Sequence, residues 1–318
     1  MSNTKFLITT RLIGYFLLFS IFLQIILGAW VRLTGSGMSC PDWPLCYGFL
    51  FPTPEKIDTI DNVSYTYLQI FLEWIHRANA AFIIGPVCFI FSLYLIIKKE
   101  SSKLFHKLAY ILLILIIIQG GLGGLTVFKS NIPWSVAIHL MFAFLLYLTT
   151  LVIIIKTYNI KNNIINANKS LRLNTLVVGI FTMSAAALGA FTSKYGASLS
   201  CNSWPGCTEG FFPNIEDIFQ LIHFSHRAIA LLLVISLISL FIKFRTYLSI
   251  ISVQVKVILS MIFSIIILQV AVGALLIYME IPIWMGIFHQ ATGLLLFTLI
   301  TILYLFMNIG ENNKLNKI

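Results

Sequence analysis

Eight stretches of this chain, near residues 12–31, 70–97, 104–128, 133–155, 172–192, 219–242, 253–278 and 282–308, are long, apolar and almost free of charge. A helix needs roughly 20 apolar residues to cross the hydrocarbon core of a bilayer, and each stretch meets that length. Spanning strands would need short segments of alternating polarity, which these uniform runs are not. Only 10% of the 318 residues are charged, against about 25% in soluble domains. The sequence therefore predicts an all-α integral membrane protein with eight transmembrane helices.

The net charge of +10 invites a nucleic-acid reading, but its placement argues against one. Fifteen of the 21 Lys and Arg lie at the N-terminus (Lys5, Arg11), the 2–3 loop (Lys98, Lys99, Lys103, Lys107), the 4–5 loop (Lys156, Lys161, Lys169, Arg172), the 6–7 loop (Lys243, Arg245, Lys256) and the C-terminus (Lys314, Lys317). The opposite loops hold Arg32, Lys56, Lys129 and Lys194, with most of the acids. That asymmetry is the positive-inside pattern. It predicts a multi-pass protein of the cell membrane with both termini cytoplasmic, the loops 32–69 and 193–218 facing outward, and the lipid bilayer rather than nucleic acid as partner. Lys5 and Arg11 before the first apolar run resemble a secretory signal. No small-residue cleavage site follows, and the run has a counterpart later in the chain, so it reads as a retained span.

The chain is written twice. "IHRANA" (75–80) matches "SHRAIA" (225–230) at four of six positions, at an offset of 150. The same offset pairs Gln119 with Gln269, Gly123 with Gly273, Trp134 with Trp284 and His139 with His289. "LGAWVRLTGSGMSCPDWPLC" (27–46) matches "LGAFTSKYGASLSCNSWPGC" (188–207) at an offset of 161. The expected organisation is two tandem four-helix bundles, residues 1–158 and 172–318, joined by a polar cytoplasmic linker at 159–171. Four spans per copy give both copies one orientation, so the repeat is parallel rather than inverted.

Four of the six histidines, His76, His139, His226 and His289, lie six or seven residues inside the outer ends of the even-numbered spans. At 1.5 Å per residue this places them roughly 10 Å below the outer boundary, in one layer. Within each copy the two are 63 residues apart, 76 to 139 and 226 to 289. One such histidine has a bland reading, a polar group bonded to a neighbouring backbone. Four, repeated as pairs at one depth, point to a site, because polar residues there are costly. A structural zinc site wants four ligands close together, commonly thiolates among them. Two imidazoles on separate helices of a bundle suit a flat macrocycle held between them, which is haem iron. Arg77 and Arg227, each following a histidine, suit haem propionates; interfacial snorkelling explains them equally. The glycines of "QGGLGG" (119–124) and "QVAVGA" (269–274) fit a plane lying close to backbone, and equally fit close helix packing.

Cys40 and Cys46 bracket "PDWPL", and Cys201 and Cys207 bracket "NSWPG". On the oxidising side, disulfides Cys40–Cys46 and Cys201–Cys207 are the default. They read as staples over the haem layer or as redox-active pairs serving a partner, and their repetition favours staples. The fifth cysteine, Cys88, lies mid-span and reads as packing.

The copies differ three residues before the first histidine, where one carries Glu73 and the other His223. Residues i and i+3 share a helix face, so Glu73 is expected to face the ligand of His76. A carboxylate beside a haem suits proton transfer or stabilisation of a cation; the alternative is a helix-start acid favoured by the dipole.

These features together, eight spans in two repeats, "EWIHR" (73–77) opening the second span, histidines on spans 2, 4, 6 and 8 and a cysteine pair in each long outer loop, resemble the heme A synthase family. The likeness covers nearly the whole chain and is nearest to the variant with cysteine pairs in both loops. It implies an enzyme of cytochrome oxidase assembly that oxidises the C8 methyl of heme O to the formyl of heme A. It implies that His76 and His139 embrace heme O, that His226 and His289 ligate the iron of a resident heme b, and that Glu73 is the catalytic carboxylate. A heme O synthase and an electron partner of unknown identity are implied partners. Two chemistries stay open: oxygen activation at iron, or withdrawal of electrons through heme b followed by addition of water under control of Glu73.

The main rival is a bis-histidine cytochrome b that only transfers electrons; it accounts for four histidines but not for a carboxylate in one copy alone. A proton-relaying transporter with parallel repeats would need broken helices and polar groups at mid-membrane.

Overall fold

A computed structural model of the chain describes residues 2–158, 167–208 and 210–315. Its elements are α1 (Ser2–Leu33), a short α2 (Pro54–Ile57), α3 (Tyr67–Ala78), a π-helical segment (Asn79–Ile84), α4 (Gly85–Ile97), α5 (Lys103–Phe128), α6 (Pro133–Lys156), α7 (Lys169–Tyr195), α8 (Ile218–Phe244), a 3₁₀ turn (Arg245–Tyr247), α9 (Val253–Tyr278) and α10 (Ile283–Leu315). No strand occurs among the described residues, only an isolated bridge between Cys46 and Phe49. Among the described residues, eight helices are long and apolar enough to cross a membrane, from Asn3–Leu33 to Ile283–Met307. Most of the linker expected at 159–171, namely 159–166, lies outside the described residues, as do 316–318.

Local chemistry sets the helix ends, and it recurs at the repeat offsets. Ser102 caps α5 by accepting from Phe105 N at 3.4 Å, and Ser252 caps α9 by accepting from Val255 N at the same distance. Such caps satisfy amides that the helix cannot. Gly35 ends α1 in the left-handed region (φ 68°), with Ser36 N donating to Val31 O at 2.9 Å; Gly196 ends α7 likewise (φ 78°), with Ala197 N donating to Thr192 O at 3.0 Å. The α5–α6 turn puts Ser130 and Asn131 at positive φ, and the α9–α10 turn puts Glu280 and Ile281 there. Asparagine tolerates that conformation, whereas a β-branched isoleucine is strained in it.

The chain divides into two compact units, Met1–Thr157 with Ser193–Tyr195, and Tyr158–Thr192 with Gly196–Ile318. In the first, α1 packs on α3, α4 and α6, and α5 lies between α4 and α6. Gly14 lets α1 approach α6, since a Cβ there would meet Ile154 Cγ1 at 2.8 Å. Arg11 joins the same two helices by donating from Nε to Thr157 Oγ1 at 2.9 Å. In the second unit, Val178, Leu237, Leu240, Val255, Ile262, Ile300 and Leu303 form one buried cluster drawn from all four long helices.

The second span departs from the unbroken helix expected over 70–97. Across Asn79–Ile84 the backbone widens to a π turn, and Gly85 N donates to Ala80 O. The cause is Pro86: it has no N–H to give, and its ring would press on the carbonyl of Phe82. The matching stretch of α8 carries Ile235 and Ser236 and runs as one α-helix.

Candidate active site

Thr66 and Gln69 start α3 with a reciprocal capping box, which satisfies two amides at once. Gln69 Nε2 also donates to Thr34 O at 3.0 Å, fastening this end of α3 to the end of α1. One turn on, Glu73 is buried. Its Oε2 accepts from Cys40 N at 2.8 Å, with the Ser39 hydroxyl 3.1 Å away, and its Oε1 pairs with Arg77 NH2 at 2.7 Å. Arg77 then gathers the disulfide loop: NH1 donates to the carbonyls of Asp42 and Leu45, and NH2 to that of Cys40. Four of its five N–H groups are so used. The Cys40–Cys46 disulfide is formed, with Cα atoms 4.7 Å apart. In this loop, burial first, then Tyr65 and the carboxylates of Glu73 and Asp42, push the Tyr47 hydroxyl above its ordinary value of 10.0.

The second unit repeats the arrangement. Cys201–Cys207 is formed, with Cα atoms 4.3 Å apart. Arg227 donates to the carbonyls of Cys201, Ser203 and Gly206, the positions 161 residues beyond 40, 42 and 45. His223 replaces Glu73, with Nδ1 3.3 Å from Cys201 N and Nε2 3.3 Å from Arg227 Nε. A neutral imidazole accepts at one nitrogen only, so it holds the loop amide or the arginine, where the carboxylate holds both. For Arg77 and Arg227 the sequence leaves propionate contact and snorkelling open; the structure adds a third role, clamping the loop.

The four histidines lie deeper, each against a glycine of the preceding long helix. A Cβ on Gly28 would stand 3.1 Å from His76 Cε1, and one on Gly189 would stand 3.1 Å from His226 Cε1. Gly123 faces His139 at 3.7 Å and Gly273 faces His289 at 3.5 Å. His76 and His139 are near enough to interact electrostatically, and so are His226 and His289. Of these glycines, Gly123 and Gly273 stand in the two glycine-bearing stretches and pair at the 150 offset, but sequence reasoning missed Gly28 and Gly189. Their signal was available: both fall in the repeated "LGA".

The arrangement passes a simple test for a haem. The Nδ1 atoms of His139 and His289 are buried without a hydrogen-bond partner, as are the Oε1 atoms of Gln119 and Gln269. Buried polar atoms left unpaired call for a partner that the polypeptide does not provide. Among the described residues no three His, Cys, Asp or Glu side chains converge as an all-protein metal site. Two imidazoles per unit, beside bare backbone, fit a flat group that brings its own remaining ligands. Cys88 is a free, buried thiol, in keeping with packing.

With this geometry in view, comparison with known proteins is informative. The family profile described as cytochrome oxidase assembly protein, COX15-CtaA, matches residues 11–301. A heme A synthase of Shewanella oneidensis is 29% identical over 89% of this chain and 92% of its own length. One of Flavobacterium psychrophilum is 28% identical over 93% of this chain and 96% of its own. Another, from Listeria welshimeri, is 26% identical over 91% and 92%. Nearly the whole chain, both disulfide loops and all four histidines included, falls within the matched residues, and the protein belongs to the COX15-CtaA family of cytochrome oxidase assembly proteins.

Proposed function

We infer that the protein is a heme A synthase, an oxidoreductase converting heme O to heme A. The observation that carries this is a difference within a repeat. Each unit sets two half-buried histidines against glycines, yet only the first places a carboxylate, Glu73, one turn from its leading histidine. An electron-carrying cytochrome b has no use for that asymmetry; an enzyme with one reacting haem and one resident haem does.

The two units are taken as tandem parallel four-helix bundles, with both termini cytoplasmic and the histidine ends of the helices near the outer face of the cell membrane. His76 and His139 hold heme O, and His226 and His289 hold heme b. A bound heme b supplies a site for electron transfer that side chains lack. Glu73 is the proton-handling group, positioned by Cys40 N–H, the Ser39 hydroxyl and Arg77. The disulfides are staples, each worth about 2 kcal/mol on the chain-entropy estimate. A heme O synthase is the natural donor of substrate.

Co-expression with a heme O-producing enzyme in a host without heme A, followed by extraction and mass measurement of the haems, tests this reading. The formyl-bearing mass of heme A is expected, and is expected to disappear in Glu73→Ala while the protein still accumulates. Heme b on the purified protein with heme O left unchanged, in the presence of a competent redox partner, would instead mark an electron-transfer cytochrome.

A further inference from the structure

In the second unit a pocket of about 390 Å³ lies at the start of α7 beside α10, lined by Lys169, Arg172, Leu173, Leu176 and Tyr304. The four α7 positions follow the i, i+3, i+4, i+7 spacing of one helix face. Along that face the order is cationic, then apolar. At 1.5 Å per residue the two leucines lie roughly 6 Å farther along the axis than the two cations. Leu173 and Leu176 are 57% and 43% exposed, and Lys169 is exposed as well. Like charges three residues apart repel. Here they do so in a first turn without an acid, where the helix dipole already favours anions over cations. The arrangement is costly unless an anion sits beside it.

The first unit builds the same place differently. Arg11, the counterpart of Arg172 at the 161 offset, donates to Thr157 Oγ1 at 2.9 Å and to Thr157 O at 2.6 Å. Bare Gly14 lets α1 close on Ile154. In the second unit the position of Thr157 is taken by Met307, which has no hydroxyl, and that of Ile154 by Tyr304. Thr175, buried, replaces Gly14, so the close approach that a missing Cβ allows is barred to α7. Lys169 replaces Ile8 and adds a second cation. One arginine tied across two helices has thus become two cations at the mouth of a pocket.

We propose that this pocket binds an anionic phospholipid, with the phosphate between Lys169 and Arg172 and an acyl chain along Leu173 and Leu176. Basic pockets between membrane helices at the cytoplasmic side suit anionic head groups, and in the orientation proposed above this end faces the cytoplasm. The sequence of head and tail along the α7 face matches that of a lipid, whereas a free phosphate has no use for the leucines. The adjoining linker, residues 159–168, contains no Asp or Glu, so it supplies no anion in a lipid's place. The inference is independent of the haem reading.

The full-length protein in detergent, titrated with phosphatidylglycerol or with phosphatidylcholine of the same acyl chains and read by native mass spectrometry, tests this. Phosphatidylglycerol is expected to bind roughly thirtyfold tighter, about fivefold for each cation. Lys169→Ile, which borrows the residue at position 8 and alters an exposed side chain, is expected to lose about fivefold of that preference. Arg172→Gln is expected to lose as much, with an unchanged melting temperature in the absence of lipid as the check on folding. Lys256→Gln, an exposed cation in the first turn of α9, is expected to change nothing; an equal loss there would mean general surface charge and overturn the proposal. Equal affinity for the two lipids, or unchanged phosphatidylglycerol binding in Lys169→Ile, also overturns it. So does displacement of phosphatidylglycerol by equimolar inorganic phosphate, which would mark a small-anion site. Glu311→Gln removes the acid that follows Tyr304 along α10 and is expected to leave binding unchanged. Tighter lipid binding in that variant would make the chain's own carboxylate the occupant, and the lipid proposal would fall.

Discussion

At Glu73 a backbone amide, a hydroxyl and a guanidinium converge on one buried carboxylate, and Arg77 passes the connection on to three loop carbonyls. The pair is 5% and 12% exposed at its side chains, so removing the cation strands a buried charge. Arg77→Met is expected to lower stability by about 3 kcal/mol, read as loss of thermal stability in detergent together with faster proteolysis of the loop. Arg77→Lys is expected to recover only part, because an ammonium cannot span carbonyls as a planar fork does. Glu73 and Arg77 were visible in the sequence as rare charges at the mouth of a span. Their mutual pairing at i and i+4 was readable and was missed, whereas the loop amide 33 positions upstream leaves no spacing to read. A hydrogen bond from Asn79 Nδ2 to Gln24 Oε1 is hidden for the same reason, at a separation of 55 residues.

Among the elements, span positions were legible because length and uniform apolarity are properties of one stretch at a time. The π segment was not: a single proline inside a membrane run is compatible with a kink, a break or a widened turn, and only packing chooses. The turns between α5 and α6 and between α9 and α10 show how the copies have drifted. Both place two residues at positive φ, but the first uses Ser130 and Asn131 and the second Glu280 and Ile281. Ile281→Asn, borrowing the residue of the first turn, is expected to stabilise the protein by about 1 kcal/mol by relieving left-handed strain at a β-branched residue. A thermal melt set against the parent protein checks it, and a lower melting temperature would mean that Ile281 packing outweighs its backbone strain.

For the molecule as a whole, duplication was the most legible feature, since two offsets account for histidines, cysteines and glycines together. Four of the six tryptophans follow the same offsets, Trp43 with Trp204 and Trp134 with Trp284, while Trp30 and Trp74 are matched by Phe191 and Phe224. Trp30, Trp43, Trp134, Trp204 and Trp284 stand exposed at or beside the helix ends that adjoin the histidines, and Trp74 donates to Leu50 O nearby. Such rings favour the membrane–water boundary, which agrees with histidines set a short way below it. The bare backbone beside each histidine has a further consequence, for how the gene tolerates change. No single-base substitution in a glycine codon yields a residue without a Cβ unless it is silent. At Gly28 and Gly189, where that atom would lie 3.1 Å from an imidazole, even alanine is expected to lower haem content. At Gly123 and Gly273, with 3.7 and 3.5 Å available, alanine is expected to pass and valine to fail. A saturation library scored for haem retention should therefore show two codons closed to every missense change and two that admit alanine, on helix faces where leucine, isoleucine and valine otherwise exchange freely.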